Sequence, residues 1–298
     1  MGYAKMLDKM SSAPGFIAAL DQSGGSTPTA LSLYGVSEAD YQGDEEMFRL
    51  MHAMRVRIMR APAFSGDKVI GAILFERTMD GDVDGQAVPS YLWEKRGVVP
   101  FLKVDKGLNG EDNGVQTMKP MPDLDALLIR AREKGIFGTK MRSVIAHADR
   151  AGIAAVVEQQ FAVARQIIGQ GLMPIIEPEV SIKSPTKVEA EAILRDEIAQ
   201  QLDKLPAGVT VMLKLTIPTV ADFYAPLIAH SSVVRVVALS GGYSTAHACE
   251  KLTHNHGMIA SFSRGLTEGL RVSMSDAEFN ASLGTTIDQI YAASVNKA

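Results

Sequence analysis

A lysine stands inside an apolar run, Val211-Met-Leu-Lys214-Leu-Thr216. Such a run predicts a strand buried on both faces, where an ammonium group needs a partner or gives up its proton. An uncharged lysine amine attacks carbonyl carbon. With a ketone it forms an iminium, which withdraws electrons from the adjacent carbon and lets a carbon–carbon bond break or form there. Water must leave a carbinolamine on the way, so the chemistry also needs a carboxylic acid that gives and takes a proton. Carboxylates of that kind stand at Glu177 and Glu179, either side of Pro178, and at Asp21, which follows Phe16-Ile-Ala-Ala-Leu20. Lys140, in Gly138-Thr-Lys-Met-Arg142, supplies a second ammonium. Its like charge, together with withdrawal from water, favours a neutral amine on a neighbouring lysine.

A second set of residues suits anions. Ser240-Gly241-Gly242 allows close backbone approach, and Arg264 offers a planar fork for phosphate oxygens. Lys103, Arg142, Ser23 and Ser26 make another cationic and hydroxyl-rich group. Each has a bland reading: Asp21-Gln-Ser-Gly-Gly and Ser240-Gly-Gly are also ordinary turn sequences, and Arg264 alone reads as a solvated side chain. Glu177 and Glu179 read equally well as loop charges, and Lys214 as an edge-strand guard against sheet pairing.

The elements that must carry these residues decide between the readings. Eight short apolar runs predict strands: Phe16–Leu20, Val69–Leu74, Val98–Val104, Ile136–Met141, Leu172–Ile176, Thr210–Leu215, Val233–Leu239 and Met258–Phe262. Helical spacing separates them. Ile153, Val157, Phe161, Ala164 and Ile168 make one stripe that stops at Gly169 and Gly171. Ser184-Pro185 predicts the cap and first turn of a helix carrying Leu194, Ile198, Leu202 and Leu205 on one face. Gly81–Gly85 and Gly110–Gly114 read as loops, and no linker divides the chain. The fold expected is α/β: a (β/α)8 TIM barrel forming a single domain over residues 1–298, ahead of a doubly wound sheet. In such a barrel the chemistry collects at the C-terminal ends of the strands. Seven of the eight runs end in or beside the polar residues named above, with Asp105 beside Lys103 and only Glu76 after the second. Independent bland explanations at seven strand ends would be a coincidence.

Composition agrees with a small-molecule partner. A formal charge of -4 with both signs mixed along the chain leaves no basic stripe for nucleic acid. No apolar run reaches the roughly 18 residues of a membrane span. Lys5, Asp8 and Lys9 interrupt the place of a signal peptide, Met6 stands where a myristoylation signal needs Ser or Thr, and the lone Cys249 fits a reducing compartment. A cytoplasmic location is expected. His247, Cys249, His254 and His256 raise a metal-dependent alternative, but their spacing reproduces no ligand pattern, and no metal or other cofactor is expected.

With these segments in order, the chain resembles class I fructose-1,6-bisphosphate aldolase, in its bacterial branch. The resemblance runs from Gly15-Phe-Ile-Ala-Ala-Leu-Asp-Gln-Ser-Gly-Gly-Ser26 through Lys95–Gly107, Gly138–Arg142, Pro174–Glu179 and Leu213-Lys214 to Ala260-Ser-Phe-Ser-Arg264. It implies that Lys214 forms the Schiff base, Glu177 is the main proton donor and acceptor, and Lys140 assists carbinolamine dehydration. Asp21 and Glu179 would complete the proton network at the C4 hydroxyl. Ser240, Gly241, Gly242 and Arg264 would bind the C1 phosphate, and Lys103, Arg142, Ser23 and Ser26 would face the C6 phosphate. The reaction implied is reversible cleavage of fructose 1,6-bisphosphate to dihydroxyacetone phosphate and glyceraldehyde 3-phosphate, without a metal. Gln22 replaces a glutamate of the animal members, and Tyr291, in a predicted helix, is no counterpart of their terminal tyrosine. A homo-oligomer is compatible with the family, but the animal tetramer is not carried over to this shorter branch. Two rivals share the pocket: a Schiff-base lyase for a deoxysugar phosphate or ketose monophosphate, and a non-catalytic sugar-phosphate binder.

Overall fold

Period-two alternation along strands that are apolar on both sides has one economical solution, a closed parallel sheet wrapped in helices. The computed structural model describes residues 2–298 and has that architecture. Its barrel strands are β1 (Phe16–Leu20), β2 (Val69–Leu74), β3 (Val99–Lys103), β4 (Gly138–Ile145), β5 (Met173–Val180), β6 (Val211–Thr216), β7 (Val233–Leu239) and β8 (Met258–Ala260). All pair in parallel in that order. The ring is nearly closed by a hydrogen bond from Ala19 N to Phe262 O, 3.3 Å. The main helices are α1 (Gly2–Ser12), α2 (Ser26–Tyr34), α3 (Gly43–Arg60), α4 (Glu76–Asp80), α5 (Val88–Arg96), α6 (Leu124–Glu133), α7 (Arg150–Gly169), α8 (Lys187–Leu202), α9 (Ala225–Ile228), α10 (Thr245–Thr253), α11 (Arg264–Thr267) and α12 (Asp276–Val295). Among the described residues no helix is long and apolar enough to cross a membrane.

Alternation splits the apolar residues into two cores. Phe16, Ala18, Leu20, Leu74, Leu102, Met141, Ile176, Leu213, Leu215 and Val236 face outward into the layer under the helices. Ile17, Ile73, Phe101, Ile175, Met212, Val237 and Ile259 fill the lower lumen, and Met6 and Met10 of α1 close its base. Gly138 is required by this packing: a Cβ there would lie 2.2 Å from Met173 O and 2.9 Å from the Phe101 ring. The ring fills that space.

Three predicted strands match end to end, and three others begin and end within two residues of the predicted bounds. The larger differences are in β4 and β5, which continue past the predicted Met141 and Ile176 to Ile145 and Val180. Their pairing persists above the barrel wall, Ser143 opposite Pro178 and Val144 opposite Glu179, and a short strand Val115–Gln116 lies antiparallel beside it. The expected Gly81–Gly85 loop is the turn of a two-stranded hairpin, Asp82–Val83 with Gln86–Ala87. The Ser184 cap is also corrected. α8 starts at Lys187, and the Ser184 hydroxyl accepts from Thr186 N at 3.3 Å instead, tying up a turn before the helix. Leu205 lies beyond its end. Tyr291 sits in α12, packed against the outer core.

Candidate active site

The residues after the lower-lumen layer point up the same lumen two positions further along each strand, as the pleat requires. Met212 lies below and Lys214 above on β6; Ile175 lies below and Glu177 above on β5; Phe101 lies below and Lys103 above on β3. These ends line a cavity of about 690 Å³ at the C-terminal mouth. All thirteen residues singled out from the sequence line it: Asp21, Ser23, Ser26, Lys103, Lys140, Arg142, Glu177, Glu179, Lys214, Ser240, Gly241, Gly242 and Arg264.

Lys214 is only 4% exposed, and its Nζ lies 3.1 Å from Glu177 Oε1. Glu177 Oε2 lies 3.1 Å from Lys140 Nζ, an ion contact without hydrogen-bond alignment, so this buried oxygen has no bonded donor. Lys140 Nζ also approaches Asp21 Oδ2 at 2.7 Å and Asp105 Oδ2 at 4.0 Å, while Asp105 Oδ1 holds Lys103 Nζ at 2.7 Å. Three lysines therefore face three carboxylates in an interior where an unpaired charge would be prohibitive. Burial alone would raise the Asp21 carboxyl, but Lys140, Lys214 and Lys103 outweigh it and hold it at about 2. Burial likewise opposes the Lys140 charge, yet Asp21, Glu177 and Asp105 raise its proton affinity above the ordinary lysine value. Lys140 is thus a fixed ammonium. Lys214, by contrast, touches a carboxylate that it shares with Lys140, and moving one proton from Lys214 to Glu177 leaves the net charge unchanged. That transfer creates a neutral amine beside a carboxylic acid.

The anion groups sit at the rim. Gly241 and Gly242 have φ of 60° and 117°, left-handed backbone that an L side chain resists. A Cβ on Gly242 would also lie 3.5 Å from Arg264 Nη2, so the backbone and the exposed guanidinium share one corner. Opposite, Ser26 Oγ accepts from Ser23 N at 3.1 Å, closing the turn after β1. Arg142 Nε is 2.6 Å from Glu179 Oε2; burial opposes its charge, but Glu179 raises its proton affinity above the usual arginine value. The two cations read as facing a distal phosphate, Lys103 and Arg142, are both ion-paired here.

Two supporting side chains escaped the sequence reading. Gln160 of α7 is fully buried; its Oε1 accepts from Glu177 N at 2.9 Å and its Nε2 donates to Ser143 Oγ at 2.9 Å. Arg55 of α3, also buried, donates to Thr78 Oγ1 at 2.8 Å and to the Gln22 carbonyl, and Gln22 Nε2 in turn donates to Ser263 Oγ at 2.7 Å. Gln160 and Arg55 occupy apolar-face positions, among Val156, Val157 and Ala164 and among Met51, Ile58 and Met59, and a polar residue inside an apolar stripe was the available signal. Asp105 stands beside Lys103 at the end of its predicted strand, with no role that sequence alone assigns. The histidines lie apart from this site. His247 packs on Tyr243 with ring centroids 4.7 Å apart, and His256 Nδ1 is 3.0 Å from Asp222 Oδ2. Cys249 is buried in α10, which raises its thiol to about 11. Among the described residues no group of three or more His, Cys, Asp or Glu side chains could hold a metal ion.

Residues 10–219 match the family described as fructose-bisphosphate aldolase class-I. The chain is 57% identical over 291 residues to "Fructose-bisphosphate aldolase class 1" of Synechocystis sp., covering 98% of this chain and 97% of that one. It is 56% identical to the protein of the same description from Porphyromonas gingivalis, covering 98% and 99%. Among solved structures it is similar in fold to a fructose-bisphosphate aldolase from Plasmodium falciparum, with a TM-score of 0.77 at 21% identity over 100% of this chain and 95% of that one.

Proposed function

We propose, since this chain belongs to the class I fructose-bisphosphate aldolase family of lyases, that Lys214 is the Schiff-base former for cleavage of fructose 1,6-bisphosphate. The amine adds to C2 of the open-chain ketose, forming the nitrogen–carbon bond as the carbonyl oxygen takes up a proton. Glu177, 3.1 Å from Lys214 Nζ, gives its proton to that oxygen, which leaves as water and yields the iminium. A base, Asp21 or Glu179, removes the C4 hydroxyl proton. The C3–C4 bond then breaks toward the iminium, releasing glyceraldehyde 3-phosphate and leaving an enamine. Protonation at C3 and hydrolysis return dihydroxyacetone phosphate and the free amine. Lys140, a fixed ammonium, stabilises negative charge as it develops on the departing oxygen.

Ser240, Gly241, Gly242 and Arg264 are assigned the C1 phosphate, and Lys103, Arg142, Ser23 and Ser26 the C6 phosphate. The electron sink is the iminium formed on Lys214, so no metal and no other cofactor takes part. A glycolytic enzyme of this kind acts in the cytoplasm, with small sugar phosphates as its partners. The observation that carries this reading is the buried contact of Lys214 with a carboxylate shared by a second ammonium.

Borohydride reduction with dihydroxyacetone phosphate tests it. The expected result is a mass increase on the peptide containing Lys214, and cleavage that survives a chelator. An unmodified Lys214 peptide, or activity lost to the chelator, would overturn it.

A further inference from the structure

Asp105 is a buried carboxylate to which the mechanism above gives no part. It is 6% exposed, and its two oxygens face different cations. Oδ1 is 2.7 Å from Lys103 Nζ, which also donates to the Asp105 carbonyl at 2.7 Å. Oδ2 is buried without a hydrogen-bond donor and lies 4.0 Å from Lys140 Nζ, within ion-pair range but too far for a hydrogen bond. A buried carboxylate oxygen left open is costly, so it is poised to take a donor when one comes within reach. Lys103 and Lys140 are register partners on β3 and β4, and Asp105 stands just beyond them.

We infer that Asp105 is a positioning residue that couples the distal phosphate to Glu177: it releases Lys103 to an arriving dianion and takes Lys140 in exchange. Lys103 is the more accessible partner, with 13% of its side chain exposed against 4% for Lys140. A phosphate offers Lys103 a doubly charged ligand. Once Lys103 turns to it, Asp105 loses its paired cation, and its open oxygen draws Lys140. Lys140 then loosens from Glu177 Oε2, now 3.1 Å away, and Glu177 is left to accept a proton from Lys214 or to deliver one to the carbinolamine. No bond to carbon changes in this exchange; only ammonium contacts move. Discrimination for a substrate phosphorylated at both ends would then arise partly in turnover as well as in binding.

This inference rests on the proposed function, and the test separates the two. Rates with fructose 1,6-bisphosphate and fructose 1-phosphate are measured for the wild type, Asp105→Asn, Lys103→Met and the double variant. The wild type is expected to show a kcat for the bisphosphate higher by about 5–150-fold, the usual range of coupling between sites. That ratio should collapse toward unity in each single variant, with no further change in the double. A merely structural Asp105 would lower kcat for both substrates by one common factor and keep the ratio, and that result overturns the inference. So does a wild-type ratio of one, or single-variant losses that multiply in the double. Should Asp105→Asn not fold, Lys103→Met decides: a change in KM alone with the kcat ratio kept counts against coupling. Trapping with dihydroxyacetone phosphate, which lacks the distal phosphate, is run beside it. Its failure in the wild type would overturn the aldolase mechanism, whereas trapping with an unmoved ratio overturns only the coupling.

Discussion

The lower and upper halves of one lumen are built from the same strands, two residues apart, and obey opposite rules. Below, Ile17, Phe101, Ile175 and Met212 exclude water and need only volume. Above, Asp21, Lys140, Glu177 and Lys214 are also hidden from water, but each is tolerable only because a group of opposite charge lies beside it. Burial stabilises the first layer and would destabilise the second without its pairing. The lesson is that a dry setting is achieved by apolar packing, while reactivity is set by how the charges inside it share partners. Lys140 has three carboxylates within 4.0 Å and stays charged; Lys214 has one, which it shares.

Substitutions at matched heights test this division. Lys214→Met should lower kcat by roughly 10⁴-fold or more, since the loss of a covalent nucleophile leaves only binding. Steady-state assays decide this, and a residual rate near wild type would mean the upper layer is not the reacting centre. Glu177→Gln should cost about 10²–10⁴-fold in kcat, the scale of general acid–base catalysis, with the adduct at Lys214 forming more slowly in single-turnover trapping. Two residues below Lys214, Met212→Ala should instead reduce stability by about 2–5 kcal/mol in denaturant melts, with kcat little changed. If that variant lost activity while keeping its stability, the two halves would not be separable.

Acid tests the pairing of the upper layer. Asp21 is held at about 2 against an ordinary 3.8, a depressed carboxyl, so its contribution is fully present above about pH 4. It is lost as pH falls toward 2, and amounts to something on the order of 2 kcal/mol. Asp21→Asn should therefore narrow the stability difference from wild type across that window, followed by melts at successive pH values; a constant difference would contradict the pairing. The smallest effect is expected from Gln160→Leu, which strands the Glu177 N–H at a cost of about 1 kcal/mol or a little more. Its diagnostic is a kcat loss with KM unchanged.

Why the sequence showed Lys214 and hid Gln160 follows from the period of each element. In a strand flanked by branched hydrocarbons every second residue is predictably interior, so one lysine is conspicuous and its height along the barrel follows from counting. A glutamine in a twenty-residue helix sits where the apolar face and its border differ by one position, and only the packed structure shows which side it takes. Arg55 was obscured in the same way. The ion pairs were harder still to foresee, because Lys103 with Asp105 and Arg142 with Glu179 depend on side-chain conformations that residue order does not fix. The upward extension of β4 pairs with Val115–Gln116, a two-residue segment too short to be predicted as a strand.

The helix that seals the base of the barrel has a bearing on traffic. With Met6 and Met10 seated beneath Ile17 and Ile70, the lumen is a cul-de-sac, and everything that enters at the rim must back out by the same door. That includes the water expelled when the amine condenses, as well as both halves of a divided sugar. While one half remains tethered to the wall, the lane is occupied and a second ketose must queue outside. Entry of one sugar and exit of the previous one therefore use a single opening in turn.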